Sequence, residues 1–453
     1  MTASSVDGRH FTFVSPIDGL ELRPGGYAVC GDHLGQVHQV EAAEEGQARG
    51  AGVLLQDGAS PFHDAPIEAA SQDRVAGWLE SVRPTRAALD VGELVLQPRL
   101  RYSLDGTGFD RHTFFCGQSG SGKTYALGTV LERLLLETSL RIVVLDPNSD
   151  FVRLDSVVDG VDDRLASRYR AATEGLVVRS GDAEGADRLH VRFVDCSPDE
   201  QAAVLRLDPI ADAEEYGTLV DLLDSGLERS SESTEALAQK LLQSKRPEEH
   251  KLGARLRNLG VYRWPVWSAG DAGSVQDLVA AGGPRAVVVD LGSLATPGEK
   301  AIAGESVLAA LWRRRADREP ILIVIDEAHN VCPREPADPV AELATEHAAR
   351  IAAEGRKFGL YLLVSTQRPQ RVNELVVSQC DNLVLMRMAS TGDLDWVART
   401  LSYAPRPLLE GATGFGQGQA LVAGKIASHH PALVRFGPRL AEEGGGDVPT
   451  TWA

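Results

Sequence analysis

Three short stretches of this chain carry residues whose types and spacing suit phosphoryl chemistry. The first, Gly117-Gln118-Ser119-Gly120-Ser121-Gly122-Lys123-Thr124, satisfies the pattern G-x-x-x-x-G-K-[ST] at every fixed position. In that pattern the backbone N–H groups cradle a triphosphate, the lysine (Lys123) reaches the β- and γ-phosphates, and the hydroxyl of Thr124 ligates Mg²⁺. The second, Ile321-Leu322-Ile323-Val324-Ile325-Asp326-Glu327-Ala328-His329, is an apolar run ending in two acids. In this Walker B arrangement Asp326 holds the metal through water, and Glu327 polarises the water that attacks the γ-phosphate. The third, Tyr361-Leu362-Leu363-Val364-Ser365-Thr366-Gln367-Arg368-Pro369, ends in polar groups, with Gln367 placed to sense that phosphate or water. Arg350 and Arg356, just upstream, are both candidates for an arginine acting on a neighbouring subunit's nucleotide. The Ile142–Leu145 run leads into Asp146-Pro147-Asn148-Ser149-Asp150. Asp146 and Asp150 there either join the Mg²⁺ shell or simply shape a turn.

These residues need elements to hold them. Thr113–Cys116 reads as a strand before the Gly-rich turn, and Tyr125, Leu127, Val130, Leu131, Leu134 and Leu135 recur at helical spacing after it. Leu140–Leu145, Ala286–Val289, Ile321–Ile325, Leu360–Val364 and Leu383–Met386 are continuous apolar runs of the kind a parallel sheet buries on both faces. An α/β fold follows, a P-loop core of RecA-like type. Residues 1–100 carry short apolar runs, Leu94-Val95-Leu96 the last of them, separated by Gly, Pro, Asp and Ser, and read as a small β-barrel with a helix near Asp73–Val82. The core is expected over 101–196 and 281–440, with a helical subdomain inserted at 197–280 and a flexible tail at 441–453.

The 453 residues exceed one ordinary domain, and 43% hydrophobic composition supplies a packed core. No apolar run is long enough to span a membrane. The N-terminus lacks a signal-peptide pattern, and five scattered cysteines form neither a disulfide framework nor a zinc site. The expectation is a cytoplasmic protein. A net charge of −18 argues against a general nucleic-acid coat, although it permits DNA in a narrow basic channel. The basic clusters Arg313-Arg314-Arg315 and Lys251/Arg255/Arg257 read first as solvated helix faces.

Taken in order, GQSGSGKT, VVLDPNSDF, IVIDEAHN, EGRKFG, STQRP and GQALVAGK resemble the HerA family of hexameric DNA-translocating ATPases, relatives of FtsK-like motors. Gly25-Gly26-Tyr27-Ala28-Val29 and Leu34-Gly35-Gln36-Val37 extend the likeness to that family's N-terminal β-barrel. The resemblance implies ATP and Mg²⁺ as cofactors, with Lys123, Thr124 and Asp326 on phosphate and metal. It also implies Glu327 as catalytic acid/base, Gln367 as sensor, and a trans arginine at Arg350 or Arg356. A homohexamer around duplex DNA is implied as well, feeding a partner nuclease or another effector in DNA end processing or phage defence. One departure stands out: Asn148-Ser149 occupies the place of the family's usual His-Gly pair. An ATP-gated scaffold ring that regulates a partner without translocating is the alternative reading, and a monomeric P-loop ATPase the third.

Overall fold

The computed structural model describes residues 1–445 except 57, 226–232, 269–272, 281 and 428–429. Near the N-terminus, period-2 alternation dictates a half-buried strand. His10–Pro16 exposes every second residue and turns Phe11, Phe13 and Ser15 inward. This strand, β2, joins β1 (Thr2–Ser5), β3 (Tyr27–Cys30), β4 (His33–Ala42), β5 (Gln47–Leu54) and β6 (Phe62–Ala69) in a closed barrel of order β1-β2-β5-β4-β3-β6. Phe11 and Phe13 fill its interior with Ala3, Ala28, Val37 and Ile67. Room for the two rings comes from glycine: a Cβ on Gly50 would stand 2.2 Å from the Phe13 ring, and one on Gly52 2.6 Å from the Phe11 ring.

Helix α1 (Gln72–Val82), capped by the Ser71 hydroxyl, leads out of the barrel. Strands β7 (Ala88–Leu94) and β8 (Arg101–Asp105) then join the large sheet, so the Leu94-Val95-Leu96 run expected in the barrel belongs elsewhere. The reason is non-local. β7 pairs with a strand more than 300 residues later and buries Leu89, Val91 and Leu94 against the helix that follows the Gly-rich loop.

The rest of the chain alternates strands and helices. In order come β9 (Thr113–Cys116), α2 (Lys123–Glu137), β10 (Arg141–Asp146), α3 (Asp163–Thr173) and β11 (Val177–Ser180). A helical stretch follows: α4 (Pro198–Val204), α5 (Ala213–Ser225), α6 (Thr234–Leu242), α7 (Pro247–Leu259) and α8 (Val275–Leu278). The chain returns to the sheet through β12 (Ala286–Asp290), α9 (Pro297–Arg313), β13 (Ile321–Ile325), α10 (Pro339–Glu354) and β14 (Leu360–Thr366). It closes with α11 (Glu374–Val377), β15 (Asn382–Met386), α12 (Thr391–Thr400), α13 (Arg406–Glu410), β16 (Gln419–Gly424) and β17 (Ala432–Phe436).

The eleven strands run β11-β12-β10-β13-β14-β9-β15-β16-β17-β7-β8, parallel from β11 to β15 and antiparallel beyond. The P-loop strand β9 therefore lies inside the sheet, between β14 and β15. Both faces are covered, which is why the central strands are apolar throughout. Ile321, Ile323 and Ile325 face one core with α9, α10 and the inserted helices, while Leu322 and Val324 face the other with α2.

The C-terminal strap after β17 is tied to α2 through one buried carboxylate. Glu132, fully buried, accepts from Arg439 Nε at 3.1 Å, from the Leu440 amide at 2.7 Å and from the Ala441 amide at 3.0 Å. Beyond it Glu442 and Gly444 donate their amides to Ser156 and Asp150. The remainder of the expected tail, from Gly446, lies outside the described residues. Glu132→Ala leaves two amides unpaired in the interior and the buried Arg439 cation with only the half-exposed Glu443 as counter-charge, and is expected to cost about 3 kcal/mol. A lowered denaturant midpoint checks this; an unchanged midpoint would contradict the assignment of the strap's anchor to Glu132.

Candidate nucleotide site

The loop between β9 and α2 takes its shape from glycine. Gly120 and Gly122 sit at φ +72° and +89°, a backbone region that costs side-chain-bearing residues energy. Gly117 approaches Met386 so closely that a Cβ would lie 2.7 Å from the methionine's own. The loop is braced at its start by Gly117 N–H to Thr366 O and Gln118 N–H to Arg387 O. Arg387 also donates to Gly120 O at 3.0 Å. Among the described residues the amides of Ser119, Gly120 and Gly122 have no partner. With the unpaired first-turn N–H groups of α2 behind them, they form an anion cradle.

Lys123 is 4% exposed and sits among acids at the C-terminal ends of β13 and β14. Its ammonium is 2.7 Å from Asp326 Oδ1, 3.1 Å from Glu327 Oε1 and 2.9 Å from Ser365 Oγ, and Ser365 in turn donates to Asp326 Oδ1 at 2.7 Å. Burial works against the Lys123 charge, but the two carboxylates outweigh it and raise its pKa. Glu327 has φ +40°, ψ +52°, a strained conformation for a residue with a Cβ. Its other oxygen, Oε2, accepts the Gln367 amide at 3.3 Å and lies 3.3 Å from His329 Nδ1. Burial holds the His329 imidazole below its usual range, so the ring is neutral near pH 7.

Asp146, Asp150 and Asp326 each bring a carboxylate oxygen within 4.8 Å of the others. Asp146 also builds the turn, accepting the amides of Asn148, Asp150 and Phe151 at 3.3, 3.0 and 2.8 Å. Thr124 Oγ1 lies 3.4 Å from Asp150 Oδ2. Burial pushes Asp146 up to about 7 and Asp150 up to about 6. Asp326 Oδ2, buried, has no hydrogen-bond partner among the described residues. A set of hard oxygens with one orphaned carboxylate oxygen suits a small divalent cation such as Mg²⁺. Where the family's His-Gly pair would stand, Ser149 adopts φ +63° and donates to Asp290 Oδ1 at 2.7 Å, tying this loop to the end of β12.

Gly117 to Thr124, Asp326, Glu327 and Gln367 thus converge at one edge of the sheet. Arg350 and Arg356 do not join them. Arg350 lies exposed on α10, 3.5 Å from Glu346, and Arg356 pairs with Asp381 at 2.6 Å. Both precede the start of β14, whereas Gln367 follows its end, and seven strand residues span roughly 20 Å. Ser365, Thr366, His329 and Arg387 are site residues that motif reading passed over. The first three lie inside motifs already recognised, but a serine or histidine beside a Walker acid carries no spacing signal of its own. All five cysteines are buried and free.

Comparison with known proteins agrees with this geometry. A family model described as the central domain of helicase HerA matches residues 89–264. The DNA double-strand break repair helicase HerA of Pyrococcus furiosus is 25% identical over 411 residues, covering 77% of this chain and 69% of that protein. Its namesake from Sulfurisphaera tokodaii is 30% identical over 185 residues, covering 39% of this chain and 36% of the relative. Among solved structures, VirB4 of Thermoanaerobacter pseudethanolicus superposes with TM-score 0.52 at 15% identity, covering 78% of this chain and 97% of its own. The bacterial conjugative coupling protein TrwBdeltaN70 gives TM-score 0.51 at 14% identity, covering 85% and 98%. At those identities the two structures speak to the fold, a P-loop ATPase core. The ordered motifs, the converging P-loop and Walker acids and these likenesses together make the chain similar to the HerA helicases and support ATP hydrolysis as its activity.

Proposed function

We propose that this chain is the subunit of a homohexameric motor that hydrolyses ATP to move along double-stranded DNA and acts with a partner nuclease or other effector in the cytoplasm, in DNA end processing or phage defence. The observation that carries the reading is the division of catalytic groups between the two edges of one sheet. A complete nucleotide cradle lies at one edge, and the arginines expected to act on it are held at the other. In a ring, the far edge of one subunit faces the nucleotide of the next.

Within that reading, Gly117 to Gly122 bind the phosphates through backbone amides, and Lys123 leaves its carboxylates for the β- and γ-phosphates. Thr124 and Asp326 would hold Mg²⁺, which supplies neutralisation of phosphate charge. Glu327 accepts the proton of the attacking water, Gln367 senses the γ-phosphate, and Arg350 or Arg356 of a neighbouring copy stabilises the charge that develops on transfer. The Asp146–Asp150–Asp326 group is the one acid cluster with metal-like spacing among the described residues, so DNA cleavage falls to a partner.

Charge pairing supports a DNA-facing side. Arg313, Arg314, Lys251 and Arg255 each meet a carboxylate, as solvated helix faces do. Arg334, Arg368 and Arg371 are exposed and have no acidic partner among the described residues. They stand on the loops after β13 and β14, joined by Arg334 N–H to Arg371 O and Asn373 N–H to Cys332 O. These three suit sequence-independent contact with DNA phosphates.

Three outcomes test the reading. Linear duplex DNA should stimulate hydrolysis in a way that weakens with salt, and Glu327→Gln should cut the rate by about 10²–10⁴ while leaving ATP binding in place. Hydrolysis indifferent to DNA would favour the scaffold ring instead. One of Arg350→Ala and Arg356→Ala should lose about 10³-fold or more, and mixing it with Lys123→Ala subunits should restore part of the activity. No recovery on mixing counts against a trans arginine. The double change Arg334→Ala/Arg371→Ala should raise the DNA concentration for half-maximal stimulation and flatten its salt dependence. An unaltered salt slope would remove these residues from the DNA path.

A further inference from the structure

His329 has no part in the reading above, yet its ring stands between two groups that matter to it. It lies on the turn that follows Glu327, and its side chain is 16% exposed. Nδ1 is 3.3 Å from Glu327 Oε2 and 3.1 Å from Thr366 Oγ1. Thr366 Oγ1 also accepts the Arg368 amide at 3.0 Å. A carboxylate oxygen only accepts, so a neutral ring with its proton on Nδ1 offers that one proton to Thr366 Oγ1, its hydrogen-bond partner, and to Glu327 Oε2 as a second acceptor. An unbroken path of polar contacts then runs from the Arg368 backbone through Thr366 and His329 to Glu327.

This path gains weight when the triphosphate arrives. In the structure Lys123 holds one oxygen of Glu327. Once Lys123 turns to phosphate, that contact is lost, and the Gln367 amide and the His329 ring are what remain on the carboxylate. The Glu327 backbone is strained, a conformation that only its surroundings can hold in place.

We propose that His329 is a positioning residue, whose Nδ1–H aims the Glu327 carboxylate at the attacking water and ties it through Thr366 to the loop that carries Arg368 and Arg371. The inference rests on Glu327 being the hydrolytic group. A displacement of that loop moves Thr366, and with it the acceptor that competes with Glu327 for the His329 proton. The loop facing DNA and the residue facing water are thereby one mechanical unit.

The test exploits the geometry of two amides. An asparagine side chain places its N–H₂ where histidine has Nδ1, and a glutamine places it where histidine has Nε2. Steady-state hydrolysis by the full chain with linear duplex DNA is measured for wild type, His329→Asn, His329→Gln and Glu327→Gln, alongside binding of a non-hydrolysable ATP analogue. His329→Asn is expected to stay within about threefold of the wild-type kcat and His329→Gln to fall about 10- to 100-fold, with KM for ATP and analogue binding unmoved in both. Equal loss in the two variants, full activity in His329→Gln, or a KM that shifts with kcat overturns the proposal. A fully active Glu327→Gln would overturn it together with the role of Glu327. An inactive Glu327→Gln beside a fully active His329→Gln removes the positioning role alone.

Discussion

A buried ammonium is the constraint around which the nucleotide site is organised. Lys123 reaches 4% exposure only because Asp326 and Glu327 lie within 3.1 Å of it and Ser365 Oγ accepts a further hydrogen bond. Removing an unpaired charge from water costs far more than a fold of ordinary stability can spare. The lysine therefore has to leave one set of anions for another, and the phosphates are that other set. Its departure leaves Asp326, Glu327, Asp146 and Asp150 facing one another. Burial already pushes the carboxyls of Asp146 and Asp150 above their usual range, to about 7 and about 6, which shows how poorly this pocket tolerates further negative charge. Nucleotide binding without a cation would sharpen that repulsion, whereas a divalent ion beside Thr124 and Asp326 relieves it. Nucleotide and metal are for this reason expected to enter together.

The sheet makes the arrangement reproducible. Asp146 ends β10, Asp326 follows β13, Ser365 and Thr366 end β14, and the P-loop follows β9. These strands are parallel and in continuous register, so each delivers its polar end to the same edge. Upstream along them the residues are mostly apolar and buried between two helical layers, which leaves little freedom for the edge to distort. Covalent spacing along the chain, from residue 117 to residue 367, has little to do with the convergence.

Local pattern and non-local pairing account for what was and was not legible in the sequence. A parallel strand buried on both faces reads as an uninterrupted apolar run, so β10, β12, β13, β14 and β15 were visible directly, and the P-loop and Walker residues with them. The partner of a strand is a different matter. Leu94-Val95-Leu96 looks like the barrel strands before it, and only β17, far along the chain, draws it into the large sheet. Contacts made through side chains of unremarkable type were equally hidden. Ser365 under Lys123, His329 beside Glu327 and Asp381 beside Arg356 follow from the packing of separate elements, and no spacing rule announces them. The Asp146 turn shows the converse. Its turn-forming role was legible in the sequence and the fold uses it, and the carboxylate that shapes the loop also faces those of Asp150 and Asp326.

The two ends of β14 set the limit on what one subunit can do. Arg356 lies before its first residue, fixed by Asp381, and Gln367 lies after its last, fixed through Glu327. A strand with six of its seven residues buried is a rigid spacer, so no side-chain rearrangement brings the arginine round to its own nucleotide. Within one chain the phosphate cradle has its cation and its acids, while Arg387 is committed to bracing Gly120. If Arg350 or Arg356 contributes, it does so at the nucleotide of another molecule. A rigid spacer of this kind also converts a shift at the donor's edge into a shift at its own nucleotide edge.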